Sequence, residues 1–584
     1  MHRRSTAAFV SLVGAAVIAA SAPWLGIAPA GAAPTPTTVV APTEPTAYLV
    51  LFKDRVPESA MNRFGRKYGT YTSLNTRVGL GTIVTTRGDF LAAARADSDV
   101  QYAGADRIMG QVAPYSNAPH GRLQSVRDAA KSVERMNAER AATRGHRHGV
   151  PGHPVPGPKN TGATEPLASL QHDMAAMNVF EAQAIDQGSK NVRVGIIDTG
   201  VDGTHPDIAP NFDNKLSRNF TVDIPDIDGA CADDPDGSCT DAANVDEDGH
   251  GTHVAGTIGA PINGIGMSGV APGVDLVNLR AGQDSGYFFV QPVVNALTYA
   301  GDNGIDVVNM SFYVDPWLYT CWANPADSPE DQVEQRLIIT ATNRALAYAR
   351  RHDVTLVSAL GNEHTDMGAP GLDDTSPDYG GDIYDRQIDN ATCLDIPAES
   401  PGVMSVSAIG PSGRKAYYSN YGTEQTDVSA PGGDYRDFPN TDQYASATNL
   451  ILAPYPKTVA EALGDIDENG EPTNDFVVKS CKGTVCGYYQ YLQGTSMASP
   501  HAAGVAALAV SHFGRRDGSG VSLDPAATEF IVKATAVRTA CPTPATYVYP
   551  LIPADYTATC VGTTAYNGFY GNGVVNAFNV VRRR

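Results

Sequence analysis

Short apolar runs separated by amphipathic stretches of helix length set the rhythm of this chain from residue 192 onward. Residues 192–197, 274–279, 305–310, 354–359 and 403–409 are such runs, apolar at most positions, as strands are when helices cover both faces of their sheet. Residues 290–300 and 333–351 instead repeat apolar positions at helical spacing. The second stretch is introduced by Ser328 as a cap, Pro329 at the first helical position and Asp331 in a capping-box place. It sets Val333, Leu337, Ala341, Ala345 and Tyr348 on one face. Strands alternating with helices predict an α/β domain, a three-layer, doubly wound and mostly parallel sheet whose ligands gather at the carboxyl ends of the strands. An earlier unit has a different pattern. Residues 46–112 read strand, helix, paired strands, helix, strand, and this βαββαβ order predicts a small α+β, ferredoxin-like unit.

The flanking segments add a destination. In residues 1–32, Arg3 and Arg4 precede an apolar run at 7–20, and Ala30, Gly31 and Ala32 supply small residues for cleavage, the layout of a signal peptide. That run is short for a membrane span and no second one follows, so the expectation is a secreted, extracellular protein without an anchor after cleavage. Residues 114–164 turn basic and end in a Pro/Gly-rich stretch with His146, His148 and His153, read as a linker open to cleavage. With 584 residues, 42% of them hydrophobic, the chain can bury one large core or a few smaller ones. Its net charge of −21 is unevenly shared: residues 1–164 hold 19 Lys and Arg against 10 Asp and Glu, the remainder 23 against 53. So acidic a body argues against nucleic acid or an anionic membrane as partner and is the electrostatic complement of the basic front. The cysteines number 8, an even set in an exported chain. Short loops favour Cys231 with Cys239, Cys481 with Cys486 and Cys541 with Cys560, leaving Cys321 for Cys393.

The candidate chemistry lies in three stretches. Gly494-Thr495-Ser496-Met497-Ala498-Ser499-Pro500-His501 opens a helix of small residues, with Pro500 expected inside its first turn. A hydroxyl at Ser496 would lie beside unpaired backbone N–H groups and the positive end of the helix dipole, where an anion can form. Asp198-Thr199-Gly200-Val201-Asp202 follows an apolar strand, and His250-Gly251-Thr252-His253-Val254-Ala255-Gly256 follows Asp248-Gly249. Together these resemble the three signature segments of the subtilisin-like serine peptidases, in that family's order of Asp, His and Ser. The resemblance runs from about Leu167 to the end, and the βαββαβ unit resembles the family's inhibitory propeptide. It implies a signal peptide at 1–32, a propeptide at 45–113, a linker at 114–164 and a peptidase domain at 165–584.

The implied chemistry is hydrolysis of peptide bonds in protein or peptide substrates through an acyl-enzyme, with no cofactor for catalysis. Ser496 would be the nucleophile, His250 the base that takes its proton, and Asp198 the group that orients the imidazole. His253 reads as structural. Asn362, after the strand that ends at Ala359, matches the family's oxyanion-hole amide. An extended substrate would lie by strand addition between Ser285-Gly286-Tyr287 and Ser311-Phe312-Tyr313, beside Ala359-Leu360-Gly361. Tyr313 and Leu360 depart from the usual Gly and small residue, so no side-chain preference is carried over.

For metal, the spacing from His253 to Pro272 equals that of bacterial subtilisins. It places Asn263 and the carbonyls of Pro261, Ile265 and Met267, beside Asp207, at the family's structural calcium site. Asp465-Ile466-Asp467-Glu468-Asn469-Gly470 opens like a calcium loop but has Phe476 where a bidentate Glu belongs, and is read as a hairpin turn. Three segments are long for the fold: 223–248, 313–328 and 432–493. They are expected either to select substrates or to decorate the surface. The acidic 223–248 loop suggests basic substrate side chains, whereas Thr199 departs from the Asp of the basic-site-specific kexin branch. The reading is a self-processing zymogen of a secreted serine endopeptidase inhibited by its own propeptide. The alternatives are a processing peptidase of narrow specificity and an inactive binding protein on the same scaffold.

Overall fold

The small unit comes first in the chain. In the computed structural model, which describes residues 45–106, 161–232, 237–517 and 520–582, it runs β1 (Thr46–Phe52), α1 (Glu58–Tyr68), β2 (Thr70–Asn75), β3 (Leu80–Thr85), α2 (Phe90–Arg95) and β4 (Val100–Ala105). This is the expected βαββαβ order, and its antiparallel sheet is ordered β2-β3-β1-β4. The expected signal peptide, residues 107–113 and all but the end of the linker lie outside the described residues. One face of the sheet packs on its own helices, with Val50, Phe52 and Ile83 against Phe64 and Phe90. The other face, with Leu49, Leu51 and Leu80, shares a core with the larger domain.

That larger domain is built on seven strands. β5 (Arg193–Ile197), β6 (Arg218–Asn219), β7 (Asp275–Arg280), β8 (Val307–Met310), β9 (Thr355–Ala359), β10 (Val403–Ile409) and β11 (Val428–Pro431) lie in the order β11-β10-β9-β8-β5-β7-β6, every adjacent pair parallel. Five are the runs read from the sequence; β6 and β11 are additional and short. Helices α3 (His250–Gly259), α4 (Val290–Asp302), α5 (Pro329–Arg350) and α6 (Thr495–Phe513) cover them. The Ser328 hydroxyl accepts the Asp331 N–H at 3.1 Å, so α5 starts where its cap and Pro329 require. Among the described residues no helix is long and apolar enough to cross a membrane.

Helix α6 runs through the centre of the domain, with every residue from Thr495 to Val510 buried. Its alanines and glycine let neighbours approach closely: a Cβ on Gly504 would lie 2.6 Å from the Val270 Cβ. The helix begins earlier than expected, and Pro500 therefore falls in its second turn. A proline there cannot donate to the carbonyl four residues back, that of Ser496. The Ser311 hydroxyl, just past β8, donates to that carbonyl instead, at 3.2 Å.

The segment 432–493 folds as a second, antiparallel sheet of β12 (Ile451–Tyr455), β13 (Val477–Lys482) and β14 (Val485–Leu492), in the order β12-β14-β13. It packs under α3. A Cβ on Gly256 would meet the Pro454 ring at 2.1 Å, so the approach requires glycine. The Asp465–Gly470 stretch is a hairpin turn, with the Gly470 N–H on the Asp467 carbonyl at 2.8 Å. All four expected disulfides are present: Cys231–Cys239, Cys321–Cys393, Cys481–Cys486 and Cys541–Cys560.

Arg344 of α5 ties the small unit down. Its guanidinium donates to the carbonyls of Phe52 at 2.7 Å and Val78 at 3.1 Å and to the Gln101 side chain at 2.6 Å, while Asn75 donates to Thr298 of α4 at 2.7 Å. Charged hydrogen bonds of this kind are worth about 1.5–3 kcal/mol each. Arg344→Ala should therefore speed amide exchange across residues 46–105 by about tenfold or more, with β5 and β8 unchanged, as read by hydrogen-exchange mass spectrometry on the full chain.

Candidate active site

The cleft lies at the carboxyl edge of the parallel sheet, where four chain segments end. Asp198 follows β5, His250 opens α3, Asn362 follows β9, and Ser496 is the second residue of α6. Asp198 is fully buried, and its Oδ1 accepts the His250 Nδ1–H at 2.7 Å and the Thr199 N–H at 2.9 Å. That contact fixes the imidazole tautomer and turns Nε2 away from the carboxylate. His250, Asn362 and Ser496 all line the cleft. The Ser496 hydroxyl donates to the Ser311 carbonyl over a long 3.4 Å. A hydroxyl this loosely held remains free to turn toward an approaching carbonyl.

The Asn362 amide is oriented by a residue that the sequence reading passed over. Its Oδ1 accepts both the N–H of Thr495, at 2.9 Å, and the Thr495 hydroxyl, at 3.0 Å. Because a backbone N–H can only donate, the oxygen must face Thr495 and Nδ2 must face the other way. The Thr495 hydroxyl in turn accepts the Gly361 N–H at 3.1 Å. Thr495 thus couples the β9 loop to the start of α6. Its only signal in sequence was its place directly before Ser496.

His253 is structural, as expected. Its Nε2 lies 3.0 Å from the Ile451 carbonyl and 3.1 Å from that of Gln490, and burial pushes its pKa down to about 3. The second sheet therefore supports the helix that carries His250 and is more than decoration.

Of the expected substrate-binding residues, Ser285, Gly286, Ser311, Phe312, Tyr313, Ala359 and Gly361 line the cleft. Two do not. Tyr287 is buried with its hydroxyl on the Asp378 carbonyl at 3.1 Å, and Phe288, stacked on Phe312 at 4.0 Å, takes its place in the wall. Leu360 is buried with Met367 and the Cys321–Cys393 pair, so it does not narrow the cleft. Tyr313 remains at the cleft, its hydroxyl on Asp378 at 2.8 Å. The acidic 223–248 loop does not aim its charge at a substrate as a whole. Asp223 and Asp241, with Asp284, surround the buried Arg280 guanidinium, and this is the one close carboxylate trio among the described residues.

The calcium reading needs correction. Asp207, Asn263, Pro261, Ile265 and Met267 come together in space, yet as arranged they do not fit a calcium ion. Both carboxylate oxygens of Asp207 are taken, Oδ1 by the Asn263 amide N–H at 2.9 Å, and Oδ2 by the Met267 N–H at 3.0 Å and the Tyr489 hydroxyl at 2.7 Å. Asn263 presents nitrogen rather than oxygen to Asp207, and its Oδ1 accepts the Ile265 N–H. The Lys482 ammonium donates to the Asn263 carbonyl at 2.6 Å, placing a fixed positive charge beside the loop. Calcium needs six to eight converging oxygens, and a neighbouring ammonium opposes it.

A model of the subtilase family matches residues 189–573. The chain belongs to the subtilase family. Members are serine endopeptidases that need no cofactor for catalysis, and this subtilase is accordingly a hydrolase of protein or peptide substrates. It is 27% identical to Subtilisin DY of Bacillus licheniformis over 345 residues, 59% of this chain and 86% of that one. To fervidolysin of Fervidobacterium pennivorans it is 27% identical over 358 residues, 60% of this chain and 39% of that one. Among solved structures, the epidermin leader peptide processing serine protease of Staphylococcus aureus has the same fold, with a TM-score of 0.57 and 20% identity over 93% of this chain and 99% of that one.

Because Lys482 and Tyr489 hold the oxygens of Asn263 and Asp207, a calcium chelator should leave the thermal inactivation rate of this subtilase unchanged. Lys482→Met should raise that rate instead. A chelator that shortened the half-life severalfold would restore the calcium reading.

Proposed function

We propose that this subtilase is an exported, self-processing serine endopeptidase that works through Ser496, His250 and Asp198. The observation that carries the reading is the 2.7 Å contact from His250 to the buried Asp198 in the same cleft as Ser496 and Asn362. The Ser496 hydroxyl attacks the scissile carbonyl and passes its proton to His250 Nε2, while Asp198 holds the ring and stabilises its charged form. The oxyanion is met by Asn362 Nδ2 and by the Ser496 N–H, which has no helical acceptor at the second position of α6. Collapse to the acyl-enzyme expels the amine, which takes the proton from His250. Water then repeats the sequence and frees Ser496.

In this reading residues 45–113 are the inhibitory propeptide. β4 leads to Asp106, which shares a small cavity with Phe289 and Asp315, and Asp315 also lines the cleft. Export fits the four disulfides. A second reading, a processing peptidase with few substrates, is favoured by the cleft walls themselves: Leu318, Gln490 and Leu492 come from segments long for the fold. The structural neighbour from Staphylococcus aureus processes the epidermin leader peptide, a narrow role of this kind.

Ser496→Ala should accumulate as an uncut chain still joined to residues 45–106 when expressed without host proteases, as read by intact mass. Normal maturation of that variant would remove the self-processing claim. Asn362→Ala should lower kcat by the order of 10²–10³ with little change in KM, a magnitude taken from subtilisin, the reference case for such an amide. An unchanged kcat would remove Asn362 from the oxyanion hole.

A further inference from the structure

Six buried aspartates of the larger domain are paired with arginine. Arg280 serves Asp223 and Asp241, Arg386 serves Asp327 and Asp373, and Arg414 serves Asp434 and Asp437. Asp395 differs. It is 4% exposed, it lines the cleft, and its Oδ1 is buried without a hydrogen-bond partner. The charges that act on it are those of Glu399 and Glu363, both of its own sign, and burial together with these holds its carboxyl well above the usual range. Glu363, which also lines the cleft, is raised by burial as well, though the Asn420 amide donates to it at 2.7 Å.

The position of Asp395 is fixed by its neighbours. Cys393 and Leu394 pair with Cys321 and Thr320, the Cys321–Cys393 disulfide locks that pairing, and the Ile396 carbonyl accepts the Val314 N–H at 2.8 Å. Asp395 is thus held against the segment that carries Ser311, Phe312 and Tyr313. A peptide whose scissile carbonyl carbon meets Ser496, with its oxygen toward Asn362, must send the side chain of that same residue between the 311–313 and 359–361 segments. Leu318, Phe312 and Ala359 line the cleft there, apolar surfaces suited to a methylene stem, and Glu363 and Asp395 supply the acidic groups.

We propose that Asp395, assisted by Glu363, makes this a pocket for a basic side chain, so that the enzyme cuts after arginine or lysine. The inference rests on the peptidase reading above and adds its substrate class. A guanidinium supplies both the opposite charge and the donors that Asp395 lacks, and a planar fork suits a carboxylate better than an ammonium does. The specificity lies in an acid of the 363–400 segment, unrelated to the acidic 223–248 loop, whose Asp223 and Asp241 already hold Arg280.

The test uses the matured enzyme and peptides that differ only in the residue supplying the scissile carbonyl: arginine, lysine, norleucine or phenylalanine. kcat/KM for arginine should exceed that for norleucine by about 100-fold or more, and Asp395→Asn should shrink the ratio by about tenfold or more. Equal or faster cleavage after norleucine or phenylalanine, or an unaltered ratio in Asp395→Asn, would overturn the proposal. Should that variant fail to fold, benzamidine should inhibit the unaltered enzyme competitively and at far lower concentration than neutral benzamide; equal inhibition would overturn it. p-Nitrophenyl acetate acylates Ser496 without using the pocket, and p-nitrophenol leaves in a burst. Absence of the burst would overturn the peptidase reading and this one with it, whereas a burst without basic preference would overturn the pocket alone.

Discussion

Helix α6 must start at one place and no other, and the chemistry of the cleft depends on how that start is held. Pro500 deprives the Ser496 carbonyl of its helical donor, and the Ser311 hydroxyl replaces it at 3.2 Å. Thr495 ties the same turn to Asn362 and Gly361. The proposed nucleophile is therefore braced by the loop after β8 on one side and the loop after β9 on the other. Behind it, α6 packs into the core through alanine and glycine, which allow no rotation without opening cavities. Asp198 and His250 are brought up by β5 and α3, and the second sheet supports α3 through His253. A small displacement of any of these supports would alter the alignment of hydroxyl, imidazole and amide, and reaction rates are steep in that alignment.

The segments that lengthen the chain are structural as well as local to the cleft. Two of them enclose arginines, Arg280 and Arg386, each ringed by aspartates, so their acidity is largely internal. A buried pair of this kind adds little net stability, but removing one partner leaves an uncompensated charge at a cost of about 3–5 kcal/mol. The 432–493 sheet brings Lys482 and Tyr489 to the loop around Asp207, where the ammonium and the hydroxyl hold oxygens that would otherwise face a metal. Asp395 lacks an internal cation of this sort, and it is the one of these acids that lines the cleft with an unpaired oxygen.

The sequence made the repeating elements legible wherever local chemistry decides structure. The apolar runs became β5, β7, β8, β9 and β10, the Ser328 and Pro329 signals marked the start of α5, and short loop lengths paired the cysteines. Asp198, His250, Asn362 and Ser496 were legible because each sits in its own motif, and the fold brings them to one sheet edge. What stayed hidden depends on distant partners. β11, four residues long, has no periodicity to display. The orientation of Asn263 is set by Asp207, 56 residues away, and its carbonyl is claimed by Lys482, 219 residues away, so spacing from His253 alone suggested a calcium site. Asp395 carries no motif; only the pairing of Cys393 with Cys321 brings it to the wall.

The central claim is that Ser496 is made nucleophilic by His250 as held by Asp198. Labelling of the matured enzyme with a fluorophosphonate, with the modified residue located by peptide mass spectrometry, tests it most directly. The expected result is a single label on Ser496 whose rate falls by about a thousandfold or more in His250→Ala and is abolished by unfolding. Labelling of another residue, or an undiminished rate on Ser496 in His250→Ala, would contradict the account.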